Sequence, residues 1–214
     1  MKKRISFRLL PVFFALIAVA PAFAGIGTSI MRTAGVRAPG EFEAKLQGDI
    51  IFNSDVSSGG GSGFNISPHV VTGLMEHYID IDAFIGTGST DFIAGATGKF
   101  NFLPDIEGQV GLAFLGGLAW VKDSVNDSSY SGFLLTLGGL VSKKFDTDFG
   151  AMDPYAGYLF EPLFWSDYTI YAHSLFGGVK WEPNNLEDWA FYSELNLSLK
   201  DSVFALSLGA SRSF

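Results

Sequence analysis

The tightest constraint on this chain is a two-residue rhythm that recurs from end to end without producing one long apolar run. In the final stretch Phe204, Leu206, Leu208, Ala210, Arg212 and Phe214 share one face, and Ala205, Ser207, Gly209, Ser211 and Ser213 share the other. Side chains of an extended backbone alternate between two sides, so this rhythm describes a strand with one apolar and one small or polar surface. Just before it, Trp189, Phe191, Leu195, Leu197 and Leu199 oppose Tyr192, Glu194, Asn196, Ser198 and Lys200. Stretches of this kind reach about 9–11 residues, enough to carry a tilted strand across hydrocarbon. Although 48% of the residues are apolar and 15% aromatic, residues 25–214 contain no 18-residue apolar run. That argues against membrane helices.

The same rhythm runs back through residues 168–182, 153–165, 130–145, 108–122, 91–103, 78–86, 63–74 and 41–52. Backbone groups in lipid must all be paired, which an open sheet cannot achieve. The expected fold class is therefore all-β: a transmembrane antiparallel up-and-down β-barrel over residues 41–214, with ten strands. Eight is the alternative, if the stretch holding Pro68 and the short one after it do not both span, because Pro within a strand marks an edge, a bulge or an end. Residues 108–122 have a weaker rhythm, since Ala113, Leu115 and Ala119 make the second face apolar too. Tyr171 and Trp181, ten residues apart, suit the two aromatic girdles, although that register turns His173 towards lipid. Arg212 breaks an apolar face so near a strand end that its head can reach the interface.

Residues 1–24 read as a cleavable signal peptide. Lys2, Lys3, Arg4 and Arg8 precede an apolar core, and Ala22-Phe23-Ala24 places small residues at Ala22 and Ala24 for cleavage before Gly25. The apolar core is too short to serve as a membrane anchor. Residues 25–40 lack alternation and read as a periplasmic lead-in rather than a plug. Of the 14 Lys and Arg, four lie in the signal, as do none of the 22 Asp and Glu; the remainder carries a formal charge of −12. Such an acidic chain is not expected to bind nucleic acid, where Lys and Arg must displace phosphate counterions. Cysteine is absent, which excludes disulfides, thiolate metal sites and a lipidated N-terminal Cys.

Taken with the strands from Glu41 onward and the terminal strand ending in Phe214, the Ala22-Phe23-Ala24 site resembles the small outer-membrane β-barrels of Gram-negative bacteria. The resemblance covers essentially all of residues 25–214 and is architectural; no motif identifies a subfamily. It implies export to the outer membrane through the Sec route and contact with outer-membrane lipid. It also implies handling by periplasmic chaperones and by the barrel-assembly machinery, which recognises a C-terminal aromatic such as Phe214. An even strand number keeps both barrel ends on the periplasmic side. The loops from Asn53 to Ser62, Gly86 to Ser89, Lys122 to Ser129, Trp165 to Asp167 and Lys200 to Ser202 then face outward.

Glu43, Lys45, Asp49, Asp80, Asp82, Lys99, Glu161, Lys180 and Glu194 all fall on the expected lumen face. A charge in a narrow lumen needs an opposite partner or water. A lumen largely closed by paired charges is therefore expected, and with it a non-enzymatic structural or interaction role. The alternatives are a narrow pore for small solutes or ions, cation-preferring because acids are in excess, and a surface adhesin, for which the outward loops are short.

Asp80 and Asp82 resemble the acidic pairs that omptin-like barrel proteases use with a His, with His173 and Asp167 as candidate partners. This chain is much shorter, however, and its acids fall in the periplasmic half, so no catalytic residue is assigned. His173-Ser174 is similar to the His and Ser of barrel lipid-A deacylases, but adjacent strand residues point to opposite faces. Met75-Glu76-His77 with His69 makes no metal pattern, and Gly59-Gly60-Gly61-Ser62-Gly63 lacks the following helix of a phosphate loop. No cofactor or metal is expected.

Overall fold

A computed structural model describes residues 29–52, 62–76, 78–125, 128–201 and 204–214. The signal segment with Ala22 and Ala24, His77 and most of the Gly/Ser-rich loop lie outside them. The strands are β1 (Phe42–Phe52), β2 (Gly63–Met75), β3 (Ile79–Gly88), β4 (Phe92–Leu103), β5 (Gly111–Val125), β6 (Ser128–Ser142), β7 (Phe145–Thr147), β8 (Gly150–Trp165), β9 (Thr169–Pro183), β10 (Trp189–Lys200) and β11 (Phe204–Ser213). Ten of them are long. Each pairs antiparallel with its neighbours, β1 closes onto β11, and β6 closes onto β8 past the three-residue β7, which folds back on the start of β8. This is the expected ten-stranded closed barrel. At its seam the N–H of Phe214 donates to the carbonyl of Phe42 at 2.8 Å, so the terminal aromatic completes the closing ladder.

Both strands in doubt span, which removes the eight-strand alternative. A closed barrel has no edge to which Pro68 can retreat. The ladder between β2 and β3 instead lapses at Ser67 and Pro68, between the pairs Ile66–Thr87 and His69–Phe84. On the other side β2 stays in register with β1, Leu46 opposite Pro68. Proline has no N–H to donate, so one local gap in one ladder satisfies it.

The rhythm sorts side chains as lipid requires. Leu46, Phe114, Phe133 and Leu208 are each more than half exposed on the outer wall, in an apolar belt of the kind that lipid covers on a membrane barrel. Tyr171 and Trp181 both lie on it. His173 sits on the outer side, its ring 4.9 Å from that of Phe160 and its Nδ1 2.5 Å from the Tyr158 hydroxyl. The Arg212 guanidinium lies over the Phe214 ring at 5.3 Å, at the strand end.

Residues 29–37 depart from the expected lead-in. They run inside the barrel, from Ser29 beside Glu194 at mid-lumen to Arg37 at the rim where β1 begins and β11 ends. Pro39 and Gly40 then turn the chain into β1, with Gly40 at φ 91°. The segment carries no two-residue rhythm because it joins no ladder, and packing and ion pairs hold it instead. Room for it is built into the wall: a Cβ on Gly209 would sit 2.8 Å from the Met31 sulfur.

Candidate functional site

The lumen has two unlike walls. Strands β5, β6, β8 and β9 turn Ala113, Leu115, Leu140, Tyr155, Leu159 and Phe176 inward, and Ile30 and Ala34 of the inner segment pack against them. The weak rhythm of β5 has its reason here, since its second face is buried apolar wall. Strands β10, β11 and β1 to β4 turn charges and hydroxyls inward instead. All nine residues placed on the lumen face point inward, and all but Lys180 are buried.

Seven of the nine sit in hydrogen-bonded or ion-paired clusters on the polar wall, and four of these (Asp80, Lys99, Glu43 and Glu194) meet the inner segment directly. Asp80 lies between Lys99, whose Nζ is 3.1 Å from Oδ2, and Arg32 of the inner segment, which meets Oδ1. Lys99 also donates to the carbonyl of Thr33 at 2.7 Å and to that of Gly35, clamping the segment's backbone. Asp82 receives Lys45 at 3.1 Å on one oxygen and the His69 ring at 2.9 Å on the other. Glu43 accepts from Arg37 Nε at 2.6 Å and from the Tyr192 hydroxyl at 2.8 Å. Asp49 meets the Gln47 amide at 3.0 Å, in register with Ser207.

Among the described residues, Glu194 is held by hydrogen bonds and not by a cation. The Ser29 hydroxyl and the Ile30 N–H donate to one of its oxygens at 2.6 and 2.9 Å, and the Met31 N–H to the other at 2.6 Å. Met31 adopts φ 41°, which turns successive N–H groups towards one anion, the geometry of a backbone nest. Such a φ costs about 1–2 kcal/mol in a non-glycine residue, which charge-assisted hydrogen bonds offset.

Lys180 pairs with Glu182 at 2.6 Å near the rim, and Glu161 accepts from Thr136 at 3.2 Å on the mostly apolar wall, which also buries Ser142 and Ser174. His173 and Asp167 do not approach Asp80 or Asp82, and ion pairs engage both of those carboxylates. Sequence reasoning missed Arg32, Arg37, Ser29, His69 and Tyr192. A signal was present: six acids against three lysines on the lumen face call for cations from elsewhere, and Arg32 and Arg37 immediately precede β1.

No known protein family and no curated protein matches the chain. Among solved structures, the beta domain of the Bordetella autotransporter Brka is similar at a TM-score of 0.52 and 12% identity, over 83% of this chain and all of that one. An outer-membrane channel from Pseudomonas putida F1 is similar at 0.45 and 9% identity, over 88% of this chain and all of that one. The fold is that of an outer-membrane β-barrel.

Proposed function

We propose that this chain serves the outer membrane as a structural or interaction barrel whose lumen is closed to through-flow by its own residues 29–37. One observation carries the reading: Lys99 and Asp80 of the wall grip the backbone and Arg32 of the inner segment at once. Ile30 and Ala34 pack on the opposite wall, so the segment is held from both sides, and the role asks for no chemistry at Asp80 or Asp82. Planar-bilayer recording of the purified protein is the test. No stable stepwise conductance is expected, and regular steps from the intact protein would overturn the reading.

A second reading is a narrow pore for small cations, opened when the segment leaves. It is supported by the acid excess of the wall, which Arg32 and Arg37 offset while the segment is in place. Deleting residues 25–36 should then produce cation-preferring steps. Silence from a deletion variant that still folds would dismiss the pore. Export by the signal cleaved after Ala24, and assembly through Phe214 by the periplasmic chaperones and the assembly machinery, complete the proposal. A cysteine at Ser62 should react with an impermeant label on intact cells, whereas one at Asn184 should not.

A further inference from the structure

Ser67 and His69 stand two residues apart on β2, so the strand's own pleat turns both inward. Ser67 Oγ lies 3.0 Å from His69 Nε2, and His69 Nδ1 lies 2.9 Å from Asp82 Oδ1 on β3. The ring rests on Phe84, centroids 5.2 Å apart and planes 28° from parallel, which fixes its tilt. Lys45 holds the second oxygen of Asp82 at 3.1 Å. A hydroxyl on Nε2 and a carboxylate on Nδ1 is the order in which a nucleophile, its base and the group orienting that base are arranged. A network needed only to neutralise charge has no use for that order, because Ser67 carries none.

The three side chains also line a cavity between the inner segment and the rim where β1 ends, shared with Asn65, Thr90 and Gln47. Gly86 lies beside Ser67 across the strand pair, and a Cβ there would sit 3.1 Å from that of Ser67, so glycine keeps space over the hydroxyl. Asn65, two residues further towards the mouth on the same face, is oriented by the Thr90 N–H, which donates to its Oδ1 at 3.0 Å. Its Nδ2 reaches Thr90 Oγ1 only at 3.5 Å, which leaves a donor for an oxygen that becomes negative in a reaction.

We infer that Ser67 is an acyl-accepting nucleophile in a lumenal pocket that hydrolyses small esters of short acyl groups. This goes beyond the structural role above and departs from the expectation of no enzymatic activity; a barrel closed to through-flow can still hold a pocket open at one mouth. Ser67 Oγ adds to the ester carbonyl carbon while His69 Nε2 takes the hydroxyl proton. The carbon–oxygen bond to the alcohol breaks, and His69 returns that proton to the leaving alcohol. Water then adds to the acyl-serine, its proton passing to His69. Ser67 departs reprotonated and the carboxylic acid leaves. Asp82 is a positioning residue, holding the ring in the tautomer that can accept at Nε2. Size sets the acyl class: the cavity has a volume of about 50 Å3, well below the roughly 150 Å3 of an apolar cavity that binds benzene. The acyl group that fits beside Ser67 is acetyl-sized, and the leaving alcohol projects from the mouth.

The test is hydrolysis of p-nitrophenyl acetate by the full barrel in detergent, with the fold verified by heat-dependent gel migration. Ser67→Ala and His69→Ala should each lower the rate by about a hundredfold or more. Asp82→Asn should lower kcat while leaving KM unchanged. Ser174→Ala, an inward serine outside the cavity, should behave as wild type. Peptide mass mapping of the quenched wild-type protein should place one acetyl group on Ser67, a readout that needs no variant to fold. Hydrolysis no faster than buffer, full activity in folded Ser67→Ala, or acetyl on another residue would each overturn the inference.

Discussion

The two walls of the lumen solve one problem in opposite ways. Strands β5, β6, β8 and β9 close on the inner segment by apolar contact, with Leu159 and Ala34 fully buried. Strands β1 to β4, with β10 and β11, close on it through ions and hydrogen bonds, with Asp80, Lys99 and Glu194 buried as deeply. Apolar contact is non-directional and tolerates a slide along the wall. A buried ion pair does not, because every displaced partner is left as an uncompensated charge. The apolar wall therefore supplies cohesion, and the polar wall sets register. The inner segment matches both, with Ile30 and Ala34 turned one way and Arg32 the other.

This division can be broken by substitution, beginning with the polar wall. Asp80→Ala leaves Arg32 and Lys99 buried together without their carboxylate, and should cost about 3–5 kcal/mol in denaturant unfolding from detergent. A loss below about 1 kcal/mol would mean that water already screens these charges. On the other wall Leu159→Ala should cost about 3 kcal/mol, through lost burial and the cavity left behind. If Leu159→Ala proved the more damaging, the assignment of register to the polar wall would fall.

Glu194→Gln keeps the shape but turns an amide N–H2 towards donors that met a carboxylate. It should cost about 2 kcal/mol and make the segment around Ser29 to Arg32 easier to cleave by protease in the folded barrel. An unchanged cleavage rate would show that the nest does not hold the segment. The smallest effect should come from outside the lumen. Lys200→Ala removes an exposed pair with Asp201 at 3.9 Å and should shift stability by less than about 0.5 kcal/mol. A larger shift would contradict the confinement of the electrostatic term to the interior.

The barrel was legible because lipid imposes a rule on each residue separately. Phe114 and Leu208 point outward whatever their neighbours are, so parity along the strand decides the face. The lumen positions of Glu43, Lys45 and Glu194 were legible by the same parity. Their partners were not. Glu194 reads as an acid awaiting a cation, yet it binds the Ser29 hydroxyl and two backbone N–H groups, and backbone groups leave no mark in residue types. His69 was weighed only as a metal ligand, because its relation to Ser67 and Asp82 depends on the β2–β3 register. That register is kept unchanged across the gap at Pro68.

By itself the sequence determined the export signal as an expectation, the strand count, the closure and the facing of almost every strand residue. All of these follow from local alternation and length. Only the tertiary structure decided what fills the centre. Contacts across a lumen join positions far apart in the chain: Ser29 and Glu194 are 165 residues apart, and Arg32 crosses to Asp80. Which charge meets which depends on strand registers summed around a closed circle. No local pattern contains that sum, and an irregular segment with no ladder of its own is placed by it alone.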